Sequence, residues 1–250
     1  MILLHPLYLE RPIAHRALHG MGRPENSIEA IEVACDANYG IEIDLQLSSD
    51  GVAMVFHDYD LRRLSAGIGA VRQHTAVELH RTRLKGASSG IPTLTEVLDR
   101  VDGRVPLLIE LKDQDGGLGP NIGALEEATA KALEGYTGLT ALMSFNPHSV
   151  IRMRELCPNI PRGLTTCAFT KEDWPLVREE RLAELRPIAD IEAADASFIS
   201  HDRKDLDNPR VAELKAQGLN ILTWTIHNAT EEAEARRVAE NVTFEHYLPA

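Results

Sequence analysis

Apolar positions recur along this chain in short runs that alternate with stretches of helical spacing. Arg11 to His15 is a brief apolar run, and a loop with Gly20, Gly22 and Pro24 follows it. Ile28, Ile31 and Cys35 then fall at helical spacing, with Ala30 and Ala34 beside them. Asn26-Ser27-Ile28-Glu29 reads as a capping box, which gives Asn26 a structural role at the cap. Glu25 precedes it, where helix-start electrostatics and a site role explain it equally well. Strand, loop and helix in this order open an α/β protein.

The longest alternating stretch is Ile41 to Asp58, in which two apolar runs flank Ser49-Asp50-Gly51. Asp-Gly between such runs signals a hairpin. With Asp50 and Gly51 as the turn, Asp44 lies opposite His57; with the turn one residue earlier, Glu42 does. Glu42 and Asp44 are two apart and project from one strand face. Two buried carboxylates on one face repel each other, and a cation is the usual remedy.

Beyond the hairpin, Tyr59 to Ser89 is irregular and relatively basic, with a short helix expected around Val77 to His80. Regular alternation then resumes. Helices are expected from Pro92 to Val101, Ile122 to Glu134, Pro147 to Leu156, Leu176 to Leu185, Pro209 to Gln217 and Glu231 to Glu240. Parallel strands start near Pro12, Ile41, Val105, Leu139, Pro161, Ala196, Leu219 and Val242. Eight strands alternating with helices is the count of a TIM (β/α)8 barrel. The expected organisation is one catalytic barrel over residues 1–250, with the hairpin after strand 2 and an insertion at about 58–91. A doubly wound open sheet is the alternative, but it carries a glycine-rich first turn that is missing here.

Composition adds limits. The 250 residues carry a net charge of −12, which argues against a nucleic-acid partner or an anionic-membrane surface. A local cation can still reverse the sign for an anionic substrate. No apolar run is of membrane length, and the first residues lack the marks of a signal peptide, so a cytoplasmic protein without stable membrane insertion is expected. Cys35, Cys157 and Cys167 show no pairing motif and read as buried reduced thiols.

In a barrel, chemistry sits where strands end. Those positions hold His15-Arg16, Glu42, Asp44, Glu110, Lys112, Ser144-Phe145-Asn146, Thr165, Ser200-His201-Asp202, Trp224-Thr225 and Phe244-Glu245, and the hairpin adds His57-Asp58. No fold requirement calls for so many ionisable groups at one barrel mouth.

The order His15-Arg16, Pro24-Glu25-Asn26-Ser27, Glu42-x-Asp44, Asp50-Gly51, His57-Asp58, Pro92-Thr93-Leu94 and Glu110-x-Lys112 resembles the glycerophosphodiester phosphodiesterase family. Trp224-Thr225 continues the likeness near the end. The resemblance implies a TIM barrel and the hydrolysis of a glycerophosphodiester, a small-molecule substrate, to sn-glycerol 3-phosphate and an alcohol. It implies His15 and His57 as the acid/base pair. It assigns Glu42, Asp44 and Glu110 to a divalent cation, Mg2+ or Ca2+. Arg16 and Lys112 would bind the phosphodiester and Trp224 would line the cleft. An all-oxygen ligand set is what a hard cation selects.

Two departures stand out. The family usually has glycine after His-Arg, where this chain has Ala17, and Glu245 stands where many relatives carry aspartate. Two other activities compete with this reading. A phospholipase C or D type enzyme would need an apolar rim for lipid chains, and no membrane-surface helix is visible. A non-catalytic barrel binding phosphorylated ligands would have little use for both histidines and all three carboxylates.

Overall fold

The computed structural model describes residues 1–249. In chain order its elements are α1 (Leu7–Glu10), β1 (Ile13–Ala14), α2 (Ile28–Asp36), β2 (Gly40–Leu47), β3 (Ala53–Val55), α3 (Ala76–Arg81), α4 (Leu94–Val101), β4 (Leu107–Leu111), α5 (Ala124–Leu133) and β5 (Thr140–Ser144). There follow α6 (Pro147–Leu156), β6 (Arg162–Thr166), α7 (Glu179–Leu185), α8 (Ile191–Ala194), β7 (Phe198–Asp202), α9 (Pro209–Ala216), β8 (Asn220–Ile226), α10 (Ala229–Ala235) and β9 (Asn241–Phe244).

Strands β2, β4, β5, β6, β7, β8 and β9 pair in sequence, all parallel, and β1 closes the ring by pairing with both β9 and β2. This is an eight-stranded closed parallel barrel, with β3 added antiparallel to β2. The strand starts read from apolar runs agree with it to within a few residues. The short α1 and α8 were too brief for periodicity to show.

Side chains on alternate strand positions divide the interior from the helix-facing surface. Ile41, Ile43, Leu45, Leu107, Ile109 and Leu111 face outward and share one core with Ile31, Ala34, Leu94, Val97 and Leu125 of the surrounding helices. Inward-facing Ile13, Leu108, Ala141, Met143, Phe198 and Leu222 form a second cluster with Tyr8 of α1. Tyr8 donates its hydroxyl to Leu107 O at 2.9 Å, which seats α1 against the barrel wall. A Cβ on Gly163 would lie 2.5 Å from the Phe198 ring, so only glycine lets that ring fill the interior. The barrel floor is therefore apolar and packed, and the ionisable residues are left to the opposite end.

The hairpin adopts neither expected register. Leu45 pairs with Val55, Gln46 with Met54 and Leu47 with Ala53, and Phe56 N–H donates to Asp44 O. Ser49, Asp50 and Gly51 together form a three-residue loop, with Gly51 at φ +81°. Such loops end on a left-handed residue, a conformation that suits glycine. His57 thus lies beyond the paired strand, not opposite a carboxylate.

The helix start also differs from expectation. Ser27, not Asn26, caps α2, its hydroxyl accepting from Ala30 N–H at 3.2 Å. Between the hairpin and α4 the chain folds over a small core of its own, in which Leu61, Val71, Leu79, Leu84 and Ile91 pack on Met54 and Phe56. Its helix α3 is longer than expected, and Thr75 and Glu78 form its capping box. Cys35, Cys157 and Cys167 are free and buried. Among the described residues no helix is long and apolar enough to cross a membrane.

Candidate active site

The site begins with strand register. Asp44 on β2 lies beside Glu110 on β4, and Glu42 lies two residues before Asp44 on the same inward face. One oxygen from each of the three carboxylates falls within 4.8 Å of the others, and all three side chains are buried. Burial pushes the Glu42 carboxyl well above its ordinary value, and the charges of Asp44 and Glu110 push it further. Burial acts on Asp44 in the same direction, but Lys112, His57, Arg16 and His15 outweigh it and hold that carboxyl well below the usual range.

Lys112 extends from β4 between two of these acids, 2.9 Å from Asp44 Oδ1 and 2.5 Å from Glu110 Oε1. Burial would lower its pKa, yet the two carboxylates win and the ammonium is held charged. Lys112 serves Asp44 and Glu110, and the Arg16 guanidinium lies near Asp44, but Glu42 has no cationic side chain within 4 Å among the described residues. An all-oxygen, over-charged buried cluster of this kind can hold a divalent cation.

Arg16 and Ala17 follow β1 with φ of 52° and 64°. This left-handed pair turns the backbone so that Arg16 N–H reaches Glu42 Oε2 at 2.9 Å and Ala17 N–H reaches Glu42 O at 3.0 Å. The Ala17 methyl is buried in the main core. The Arg16 guanidinium lies 2.9 Å from Glu25 and 3.6 Å from Asp44. Asn26, at φ 57°, donates to Asp44 Oδ2 at 2.8 Å and accepts from Asp44 N–H at 3.3 Å. Sequence reasoning placed Asn26 at a helix cap; it is a support of the acidic cluster instead.

Each expected acid/base histidine has its own carboxylate. His15 Nδ1 is 2.7 Å from Glu245 Oε2, and His57 Nδ1 is 2.8 Å from Asp58 Oδ1. Burial lowers the His15 pKa, while the bond to Glu245 works against it. Burial would raise Glu245, but His15 and His19 keep it well below the carboxylate range. Arg63 of the insertion binds Asp58 at 2.6 Å and Glu25 at 2.8 Å, which ties the His57 partner to the Arg16 partner. The signals for Glu245 in the sequence were its position at a strand end and its place where many relatives carry aspartate, and Arg63 showed only as part of a basic stretch.

His57, Glu110 and Lys112 open into a cavity of about 480 Å³ whose other walls include Phe145, Trp174 and Leu118. Trp224 packs edge-on against Phe145, ring centroids 5.5 Å apart, and donates its indole N–H to Ser200 O at 2.9 Å.

The model of the glycerophosphoryl diester phosphodiesterase family matches residues 15–242. The chain belongs to this family. It is a phosphoric diester hydrolase. YhdW of Bacillus subtilis is 32% identical over 231 residues, covering 89% of this chain and 88% of the relative. The glycerophosphodiester phosphodiesterase of Caldanaerobacter subterraneus is 31% identical over 224 residues, covering 86% and 84%. Among solved structures, a phosphodiesterase of Oleispira antarctica in complex with the product sn-glycerol-3-phosphate superposes with a TM-score of 0.78 at 25% identity, covering 96% of this chain and 94% of that one. These likenesses account for the barrel and for glycerophosphodiester hydrolysis as the activity.

Proposed function

We propose that this enzyme cleaves glycerophosphodiesters to sn-glycerol 3-phosphate and an alcohol, with His15 and His57 as base and acid. The observation that carries the assignment is the pairing of each histidine with a partly buried carboxylate, Glu245 and Asp58, while both histidines act on the charge of Asp44. The product bound to the Oleispira antarctica relative supports the side of the phosphorus at which the bond breaks.

Glu42, Asp44 and Glu110 would hold a divalent cation, Mg2+ or Ca2+. The three buried carboxylates within 4.8 Å of one another, with no side-chain cation on Glu42 among the described residues, and the all-oxygen donor set fit such an ion. When bound, the cation supplies positive charge that stabilises the phosphorane oxygens. Arg16 and Lys112, both cationic at the same mouth, bind the phosphodiester and neutralise charge that grows on it. Glu245 and Asp58 each accept from a histidine Nδ1–H, which leaves Nε2 of both rings free for the substrate. His15 takes the proton from the attacking oxygen. His57, which lines the cavity, gives a proton to the departing alkoxide.

His15→Ala and His57→Ala are each expected to lower kcat on an alkyl glycerophosphodiester by about 10² to 10⁴. An ester whose leaving group is p-nitrophenol separates the roles, because nitrophenolate departs without a proton. His57→Ala then recovers most of its rate and His15→Ala does not. Recovery by His15→Ala alone would reverse the two roles, and full activity of either variant on the alkyl ester would remove that residue from the mechanism.

A further inference from the structure

The two histidines of the proposed acid/base pair are braced by different means. Asp58, which holds His57, is gripped at both oxygens by Arg63. Glu245, which holds His15, has no arginine or lysine within 4 Å among the described residues. It is also one methylene longer than an aspartate, and the last torsion of a glutamate is broad and nearly two-fold. A bond to one oxygen alone sets such a carboxylate loosely.

Imidazoles surround Glu245 instead. Its Oε2 lies 2.7 Å from His15 Nδ1 and 3.4 Å from His19 Nε2. Its Oε1 lies 3.2 Å from His227 Nε2 and 3.3 Å from His246 Nε2. The rings pack on one another: His246 stands edge-on to His19 with centroids 5.4 Å apart, and is stacked on His227 at 6.2 Å.

Of the three further rings, only His227 is also held at its other ring nitrogen among the described residues. Its Nδ1 is 3.2 Å from Glu231 Oε2, and the same oxygen accepts the His227 backbone N–H at 2.9 Å. Arg203 in turn lies 3.3 Å from Glu231 Oε1. A continuous line of contacts, Arg203, Glu231, His227, Glu245 and His15, therefore runs from the loop after β7 to the end of β1. Hydrogen-bonded chains of this kind hold each member in one orientation.

We infer that His227 is a positioning residue for the reaction: it fixes Glu245 through Oε1, so that Oε2 stays against His15 Nδ1 and the His15 ring keeps its Nε2 towards the substrate. The inference rests on the proposed function, because it takes His15 as the base. His227 is 40% exposed, so its removal takes little from the core, and its effect falls on the rate.

The intact, cation-supplemented enzyme tests this with His227→Ala and His227→Gln, and with His227→Ala placed in a Glu245→Ala background. The substrates are the p-nitrophenyl ester and an alkyl ester of sn-glycerol 3-phosphate. His227→Ala is expected to lower kcat by roughly 10- to 100-fold on both esters, because His15 serves both, with KM little changed. His227→Gln keeps an N–H donor on that side and should recover part of the rate. In the Glu245→Ala background the same His227→Ala change should cost little more, whereas a merely structural role would cost the same factor in both backgrounds. Full kcat in His227→Ala overturns the inference. So does a raised KM with kcat unchanged, which would make His227 a binding residue, and so does an equal loss in both backgrounds. Failure of the proposed function looks different: His15→Ala and Glu245→Ala would then themselves keep full activity.

Discussion

At the scale of single residues, the site depends on side chains whose purpose the local pattern misstates. Asn26 sits one position before a good cap, and the tetrapeptide Asn-Ser-Ile-Glu reads as a capping box from Asn26 as readily as from Ser27. Only the contact with Asp44, 18 residues away, resolves it, and no local rule encodes that contact. The two hydrogen bonds between Asn26 and Asp44 satisfy a buried carboxylate oxygen and a buried amide at once. Asn26→Ala strips both of partners, and each orphaned buried group costs about 1–3 kcal/mol. The variant is expected to lose roughly 2–4 kcal/mol in urea unfolding and most of its activity. A loss below about 0.5 kcal/mol, the range of ordinary surface changes, would mean that water replaces the amide without penalty. The metal-ligand candidates were legible for the opposite reason. Glu42, Asp44 and Glu110 interrupt strands that are otherwise apolar, and inward-facing acids in such strands have few structural uses.

Elements set distances that residues alone do not. The hairpin was legible as a hairpin from Asp50-Gly51, but its register was not. A left-handed glycine can close either a two-residue or a three-residue loop, and the choice moves every facing pair. The three-residue loop ends β3 at Val55 and frees His57 to turn towards Asp58 and the cavity. The insertion then fixes that turn. Arg63 grips both oxygens of Asp58, at 2.6 and 2.7 Å, and both oxygens of Glu25, at 2.8 and 3.0 Å. Through Asp58 it bears on His57, and through Glu25 on Arg16, so the insertion acts as a brace on the proposed acid and on the proposed phosphate-binding residue. Supporting residues of this sort typically change activity by about 10- to 100-fold when removed. Arg63→Ala should lower kcat within that range while unfolding by urea changes little, since the side chain is half exposed. Lysine at 63 restores charge without the bidentate fork, and it should recover only part of the rate. Equal loss in stability and in kcat would make Arg63 a structural residue and nothing more.

On the scale of the whole molecule, the barrel mouth is divided. The first strands, β1, β2 and β4, bring His15, Arg16, Glu42, Asp44, Glu110 and Lys112, while the later strands and their loops bring Phe145, Trp174 and Trp224. The charged half was readable because ionisable residues at strand ends are conspicuous. The aromatic half was readable only in part: Phe145 and Trp224 stand at strand ends, whereas Trp174 lies in a loop without periodicity. The later strands also bury His201, whose pKa burial lowers below its ordinary 6.5 although Asp205 opposes the shift. Below about pH 6.5 the unfolded chain takes up a proton there that the folded one resists, so this residue's contribution to stability falls as pH falls. Replacing His201 with Gln should flatten that part of the stability profile between pH 7.5 and 5.5, and an unchanged slope would assign the dependence to other groups.

The charged half makes a stronger demand on the fold. Three buried carboxylates repel one another even with Lys112 and Arg16 beside them. On the proposed reading a divalent cation would relieve that repulsion, so cation binding and stability would be linked. A ligand at a hundred times its dissociation constant stabilises the native state by about 2.7 kcal/mol. For a chain of this size each kcal/mol is worth about 2–4 °C. Saturating Mg2+ or Ca2+ should therefore raise the thermal midpoint of chelator-treated protein by roughly 5–10 °C. The double variant Glu42→Gln, Asp44→Asn removes two of the three charges, and it should show little shift with cation. It should also be less sensitive to chelator than the native chain, because the repulsion that the cation offsets is gone. A native protein indifferent to both chelator and cation would mean that Lys112 neutralises the cluster by itself, and the acids would then serve to orient the ammonium.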